Sequence, residues 1–149
     1  METGLGLDAT LNLSFKDQTL VCQEAARLGY TSIWTPEGNG HDAFHICSHW
    51  WAATQDIVAG GLTTGIAVSP VVLRTPMGLA MSAGTVTQLT GARFILGIGS
   101  GGLHTLAGRR TYGMGSLSVL GLMRDYLTSL HGLLNGEAVT QQGNSVSMQ

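Results

Sequence analysis

Short runs of β-type residues recur along this chain at intervals of about thirty residues, the length of one strand-helix unit. They are Leu5–Thr10, Ser32–Thr35, Leu62–Ser69 and Arg93–Ile98. Each is followed by a stretch with helical character. In Phe15–Leu28 the apolar positions Leu20, Val21, Ala25 and Leu28 recur at helical spacing and Gly29 supplies a stop; His41–Thr54 is richer in aromatics; Pro76–Leu89 opens on a proline suited to a first turn. The fourth helix is read from Leu117, Leu120, Met123, Leu127, Leu130 and Leu134, with Arg124 and Asp125 facing elsewhere and Gly136 ending it. Between the last strand and this helix, Leu103–Ser116 reads as a long connection.

Strands alternating with helices imply a parallel sheet joined by right-handed crossovers. The third run, GIAVSPVV, is apolar on both faces, which predicts burial on both sides. A doubly wound sheet or a barrel would provide that. Four units cannot close an eight-stranded barrel, so a barrel-like chain of this kind is half of one, with an inner face and two edges to cover. The expected organisation is α/β: one domain over residues 1–149, with a polar tail, Ala138–Gln149, that forms a short hairpin around Gly143 and Asn144 or a loose end.

Composition narrows the partners. Charged residues make up 11% of the chain against a usual share of about 25%, Lys16 is the one lysine, and the net charge is −2, so no basic stripe exists to follow a phosphate backbone. Nucleic acid is excluded. Ile57–Leu73 is uncharged but short for a membrane span and broken by glycine, threonine and Pro70. Cys22 and Cys47 have no framework spacing, and the amino terminus lacks the basic region of a signal peptide, so the setting expected is cytoplasmic and reducing.

Three segments carry candidate chemistry. RFILGIGSGG, Arg93–Gly102, contains G-x-G-x-x-G, but no helix opens at the glycines and no acid ends a following strand, so a dinucleotide fingerprint is disfavoured. A glycine turn at the mouth of a parallel sheet, or a loop facing a cofactor, remains. Next, the turn after the second strand, Pro36–Gly40, could present Glu37, His41 and Asp42 to a common cleft for acid–base work, a surface carboxylate being the alternative. Finally, His41, His45 and His49 share helical spacing, but no glutamate follows in the zinc-protease manner, so pocket-lining or partly exposed histidines are expected and no metal.

Taken together, AARLGYTSIWTPE, TTGIAVSPVVLRTPMGLAMSAGTVTQLTGARFILGIGSGG and MRDYLTSLHGLLNGEAV resemble the bacterial luciferase-like monooxygenases, a family that includes oxidoreductases using the deazaflavin coenzyme F420. The resemblance implies a TIM (β/α)8 barrel of which this chain forms about half, βα units one to four, truncated before the fifth strand. It implies FMN or coenzyme F420 at the carboxyl ends of the strands, a small-molecule substrate, and hydride transfer or monooxygenation. Cofactor contacts are implied for Gly65, Ile66, Ala67 and Ser69 at the end of the third strand, and for Gly99, Ser100 and Gly101 after the fourth. A non-proline cis peptide is expected at Gly65–Ala67. Pro36 and Glu37 would face substrate or ring, with proton transfer from Glu37 or His41. Two departures stand out: the later strands that ordinarily hold the cofactor phosphate are missing, and GMGSLSVL, Gly113–Leu120, lacks a proline usual before the last helix. The chain is therefore expected to be either an oxidoreductase, as a homodimer, or a non-catalytic half-barrel that self-associates or complements a separate second half. A fragment without activity is a third reading.

Overall fold

The computed structural model describes residues 2–38, 40–143 and 145–148; Asn39 and Asn144, read above as turn residues, and the terminal Gln149 lie outside them. Strands β1 (Gly4–Gly6), β2 (Ser32–Thr35), β3 (Thr63–Pro70) and β4 (Phe94–Gly99) form one sheet in the order β1-β2-β3-β4. Helices α1 (Phe15–Arg27), α2 (Ala43–Thr54) and α3 (Pro76–Leu89) connect them in turn. This is the α/β pattern of parallel βα repeats expected from the thirty-residue period.

By contact density the chain divides into two compact units, residues 1–69 with 85–97, and residues 70–84 with 98–149. The first holds most of the sheet. Its register places Gly6, Trp34 and Gly65 in one row and Leu5, Ile33 and Thr64 in the next, so the two rows point to opposite faces. Ile33 belongs to a core with Leu7, Cys22, Ala26, Ile46, Trp50 and Leu62, against which α1 and α2 pack. Burying each of the larger of these side chains contributes about 1.5–3 kcal/mol. Two polar side chains at this core are matched: Trp50 Nε1 donates to Gln18 Oε1 at 3.0 Å, and Gln18 Nε2 donates to the Leu13 carbonyl at 3.1 Å.

The opposite face is built for one large ring. A Cβ at Gly65 would fall inside the Trp34 indole, and one at Gly4 would meet Trp34 Nε1 at 2.9 Å, so glycines let the indole lie across the strands. Phe94 packs at a tilt against Phe44 of α2 with centroids 5.8 Å apart, which turns the next residue, Ile95, to the indole's face. There Ile95 and Val68 are exposed, as is Ala67. The third strand is thus covered on its helix side by Thr64 and Ile66, while its far end is open on the other, unlike the two-sided burial expected of it.

In the second unit, α5 (Val119–Leu134) buries Leu122, Tyr126, Ser129 and Leu130. Of the leucine stripe read from the sequence, Leu130 is buried, while Leu120, Leu127 and Leu134 are exposed. Leu20 of α1 and Leu28 at its C-cap are likewise exposed, and that helix buries Gln18, Cys22, Ala25 and Ala26. Both helices carry apolar residues on more than one face, so spacing alone does not select the packed one. Tyr126 donates its hydroxyl to the Arg74 carbonyl at 2.9 Å. The polar tail is a hairpin of β5 (Gln141–Gln142) and β6 (Ser147–Met148), tied to α5 by Ser129 Oγ donating to Gln141 Oε1 and Ser145 N–H donating to Asp125 Oδ2. The connection Leu103–Ser116 contains a short helix, α4 (Leu106–Thr111), capped by Thr105 and fastened by Arg109 Nε donating to the Leu103 carbonyl at 2.8 Å.

Candidate functional site

At the carboxyl ends of the first three strands, short segments with their own capping chemistry frame the candidate site. The first run stops being a strand at Gly6. Asp8 accepts from the Thr10 N–H and hydroxyl and starts a 3-10 turn at Ala9–Leu11, and Asn12, at φ 49°, closes it. Those bonds to Thr10 hold the Asp8 carboxyl below its ordinary value, so it stays ionised. After β2, Asp42 caps α2 by accepting from Phe44 N–H at 3.0 Å and His45 N–H at 3.1 Å, which is why the helix begins at Ala43 and not at His41.

Two adjoining hollows lie between these segments, both within the first unit. The larger, about 500 Å³, has Asp8, Asn12, His41, Ile46 and Trp50 among its walls. The smaller, about 380 Å³, opens over the indole's face of the sheet, with Gly6, Trp34 and Ala67 on its floor. Leu7, Asp8, Thr10, Thr35 and Pro36 border both.

The three residues expected to share a cleft are separated in role. His41 lines the larger hollow and packs at a tilt against Phe15 with centroids 4.8 Å apart. Asp42 is engaged in capping and also bonds His45 Nδ1 at 2.9 Å. Glu37 turns inward and is 6% exposed: its Oε2 accepts from Ser69 Oγ at 2.5 Å, its Oε1 lies 3.4 Å from the Ala43 N–H, and its own N–H donates to the Val68 carbonyl at 3.2 Å. One buried carboxylate thus fastens the end of β3 to the start of α2. Sequence reasoning did not foresee this bond, because Glu37 and Ser69 stand 32 positions apart and each reads alone as a loop or strand polar residue.

Of the third-strand residues, Gly65 and Ile66 are buried, Ser69 is held by Glu37, and Ala67 alone lines one of the two hollows. A cis peptide joins Ala67 to Val68, at the carboxyl-terminal end of the expected stretch. Gly99, Ser100 and Gly101 belong to the second unit, where the Gly99 carbonyl accepts from the Val71 N–H at 2.9 Å and Gly101 adopts φ +64° against Pro70.

The histidines at four-residue spacing do not converge. His45 is exposed, His49 meets Thr19 Oγ1 at 2.9 Å, and among the described residues no group of three His, Cys, Asp or Glu side chains is placed to hold a metal. Cys22 and Cys47 are free and buried. Burial pushes each thiol up to about 12; at Cys47 the Thr64 hydroxyl offsets part of the rise while Glu37 and Asp42 add to it. That Thr64 hydroxyl is fully buried and makes no full-strength hydrogen bond among the described residues, as expected beside a thiol, a weak partner. No helix among the described residues is long and apolar enough to cross a membrane.

Comparison with known proteins agrees with the architecture. A Mycobacterium tuberculosis protein provisionally named a coenzyme F420-dependent oxidoreductase is 32% identical over 99 residues, which are 66% of this chain and 26% of that protein. Among solved structures, the coenzyme F420-dependent tetrahydromethanopterin reductase of Methanopyrus kandleri superposes over 99% of this chain and 44% of its own with a TM-score of 0.78 at 15% identity. The oxygenating constituent of 3,6-diketocamphane monooxygenase from Pseudomonas putida, in complex with FMN, gives 0.78 at 18% identity over 99% and 43%. The monooxygenase RslO1 of Streptomyces bottropensis gives 0.81 at 15% identity over 99% and 47%. The chain therefore spans about a quarter of the curated relative and less than half of each of these solved chains, which share its fold. The family model for luciferase-like monooxygenases matches residues 3–149, and the chain belongs to that family.

Proposed function

We propose that this chain carries part of the site of a flavin- or deazaflavin-dependent oxidoreductase acting on a small molecule. The observation that carries the reading is the smaller hollow, whose floor suits a planar ring: Ala67 is exposed there and a Cβ at Gly6 would have no atom within 4 Å. Ala67, Trp34 and Gly6 would support FMN or coenzyme F420, which when bound supplies hydride transfer or, for flavin with oxygen, monooxygenation. Glu37 and Ser69 act behind this floor by holding the β3 end, and Ile66 and Gly65 act from within the packing. His41, free of such duties, is the proton-transfer candidate, with Asp42 fixing the helix that follows it. The contribution of Gly99, Ser100 and Gly101 rests on the family resemblance alone. Two buried thiols agree with a reducing, cytoplasmic setting.

The test is retention of cofactor. Purified chain incubated with FMN or coenzyme F420 and passed through gel filtration is expected to carry the cofactor's absorption with it; protein that emerges colourless from both overturns the reading for this chain. A second reading, a non-catalytic half-barrel that pairs with itself or with a complementary half, is favoured by the exposure of Val68 and Ile95 on the open sheet face. Light scattering that finds a cooperatively folded monomer, alone and in mixtures with the remaining half, removes it.

A further inference from the structure

The carboxyl end of α5 holds a pair of residues that can react with each other. Asn135 caps the helix at φ −82° and ψ 0°, and Gly136 follows at φ +76°, a conformation that favours glycine. Both are exposed. The side-chain Cγ of an asparagine is open to attack by the backbone nitrogen of the next residue, and a glycine there puts no side chain in the way. The other asparagine followed by glycine, Asn39, lies outside the described residues. Around Asn135 the structure both assists and restrains the attack. His131 Nδ1 lies 3.3 Å from Asn135 Nδ2, so a group able to deliver a proton stands beside the nitrogen that would leave. The attacking nitrogen is held back: the Gly136 N–H donates to the Leu133 carbonyl at 3.1 Å, and the next N–H, of Glu137, donates to the Gly132 carbonyl at 3.0 Å. At ψ 0° the Gly136 nitrogen lies alongside the backbone nitrogen of Asn135 and away from Cγ. Turning that one dihedral gives up the two bonds and leaves the helix up to Leu134, with His131, in place.

We propose that Asn135 is a self-modification site, losing its side-chain amide when the cap of α5 opens. The Gly136 nitrogen gives its proton to solvent and bonds to Cγ. The Cγ–Nδ2 bond then breaks, and the nitrogen takes a proton from His131 and leaves as ammonia. Water opens the resulting cyclic imide at either carbonyl, so that asparagine and water become ammonia and aspartate or isoaspartate, with no change of oxidation state. The product bears on the tail: Val139 packs so closely on Gly132 that a Cβ there would meet it at 2.7 Å, and Ser129 holds Gln141. Isoaspartate inserts an extra main-chain carbon between α5 and the hairpin fastened to it. None of this depends on the oxidoreductase reading. To test it, the chain is incubated at mildly alkaline pH, folded and in urea, and peptides carrying residue 135 are weighed and assayed for isoaspartate. Conversion is expected in both, about ten- to hundredfold slower in the folded chain because two bonds must first open. Asn12, followed by leucine, should stay intact. In urea, where the cap plays no part, Gly136→Ala should slow conversion strongly. His131→Ala should slow the folded chain severalfold and leave the unfolded one unchanged. In the isoaspartate form the Gly143 amide, bonded to the Val146 carbonyl in the hairpin, should exchange faster. Equal rates in the folded and unfolded chain, a folded chain that never converts, or no slowing by Gly136→Ala in urea overturns the proposal. Conversion of folded His131→Ala at the parent rate removes the histidine from it, and unchanged exchange at Gly143 removes the effect on the tail.

Discussion

At the scale of single residues, the most consequential bond is the one between Ser69 and Glu37. Removing the hydroxyl leaves a buried carboxylate short of a donor, so Ser69→Ala is expected to destabilise the chain by about 1–3 kcal/mol in urea unfolding. Glu37→Ala should cost a similar amount, and the double variant clearly less than the sum, because both changes remove the same bond. Strict additivity would show that the pair does not interact. The cysteines give a pH prediction. A thiol raised from 9.0 to about 12 on folding contributes stability that is complete below pH 9 and is lost as the pH rises towards 12, because the unfolded chain ionises first. Stability should therefore fall over that window, and Cys47→Ala should flatten its share of the fall. In the native state at neutral pH both thiols should resist alkylating reagents until denaturant is added.

Individual elements show what could be read in advance. Ser32–Thr35 and Pro76–Leu89 form the strand and helix expected, because β-branched and aromatic residues bounded by turn formers, and a proline opening a helical stretch, are local signals. The strand expected over Leu5–Thr10 ends at Gly6 because Asp8 captures the Thr10 amide, a competition between side chain and ladder that hydrophobicity does not register. The helix expected from His41 starts two residues later because Asp42 caps it. Asp42→Ala should cost about 1 kcal/mol of stability, measured by thermal unfolding. The glycines of the sheet differ in a way that only the register reveals. Gly65 stands beside Trp34 and cannot take a methyl group without moving the ring, so Gly65→Ala should cost about 1–3 kcal/mol. Gly6, on the other side of the same tryptophan, has open space, so Gly6→Ala should be close to neutral. Equal effects at the two positions would refute that account of the row.

For the whole molecule, the thirty-residue period led to the parallel order of strands, and the family resemblance led to the right fold. The candidate site was less legible. Glu37 and His41 look equivalent in a glycine-rich turn, yet one is turned into the protein and the other towards a cavity, a difference set by Ser69 on a strand 32 residues away. Likewise, the open face of the sheet follows from long-range pairing, and its exposed Val68 and Ile95 have no mark in the sequence that separates them from buried neighbours such as Ile66.

The indole lying between two glycines gives the chain a built-in optical gauge. Of its three tryptophans, Trp50 is buried in the core and Trp51 donates to the Gly60 carbonyl, while Trp34 alone lines the smaller hollow, proposed above for a flavin ring. A yellow chromophore seated there would accept excitation energy from Trp34 at short range, so its arrival should dim tryptophan emission. Trp34→Phe should remove Trp34's share of that dimming and leave the shares of Trp50 and Trp51, which lie in the same unit. The reading is available without substrate and without turnover.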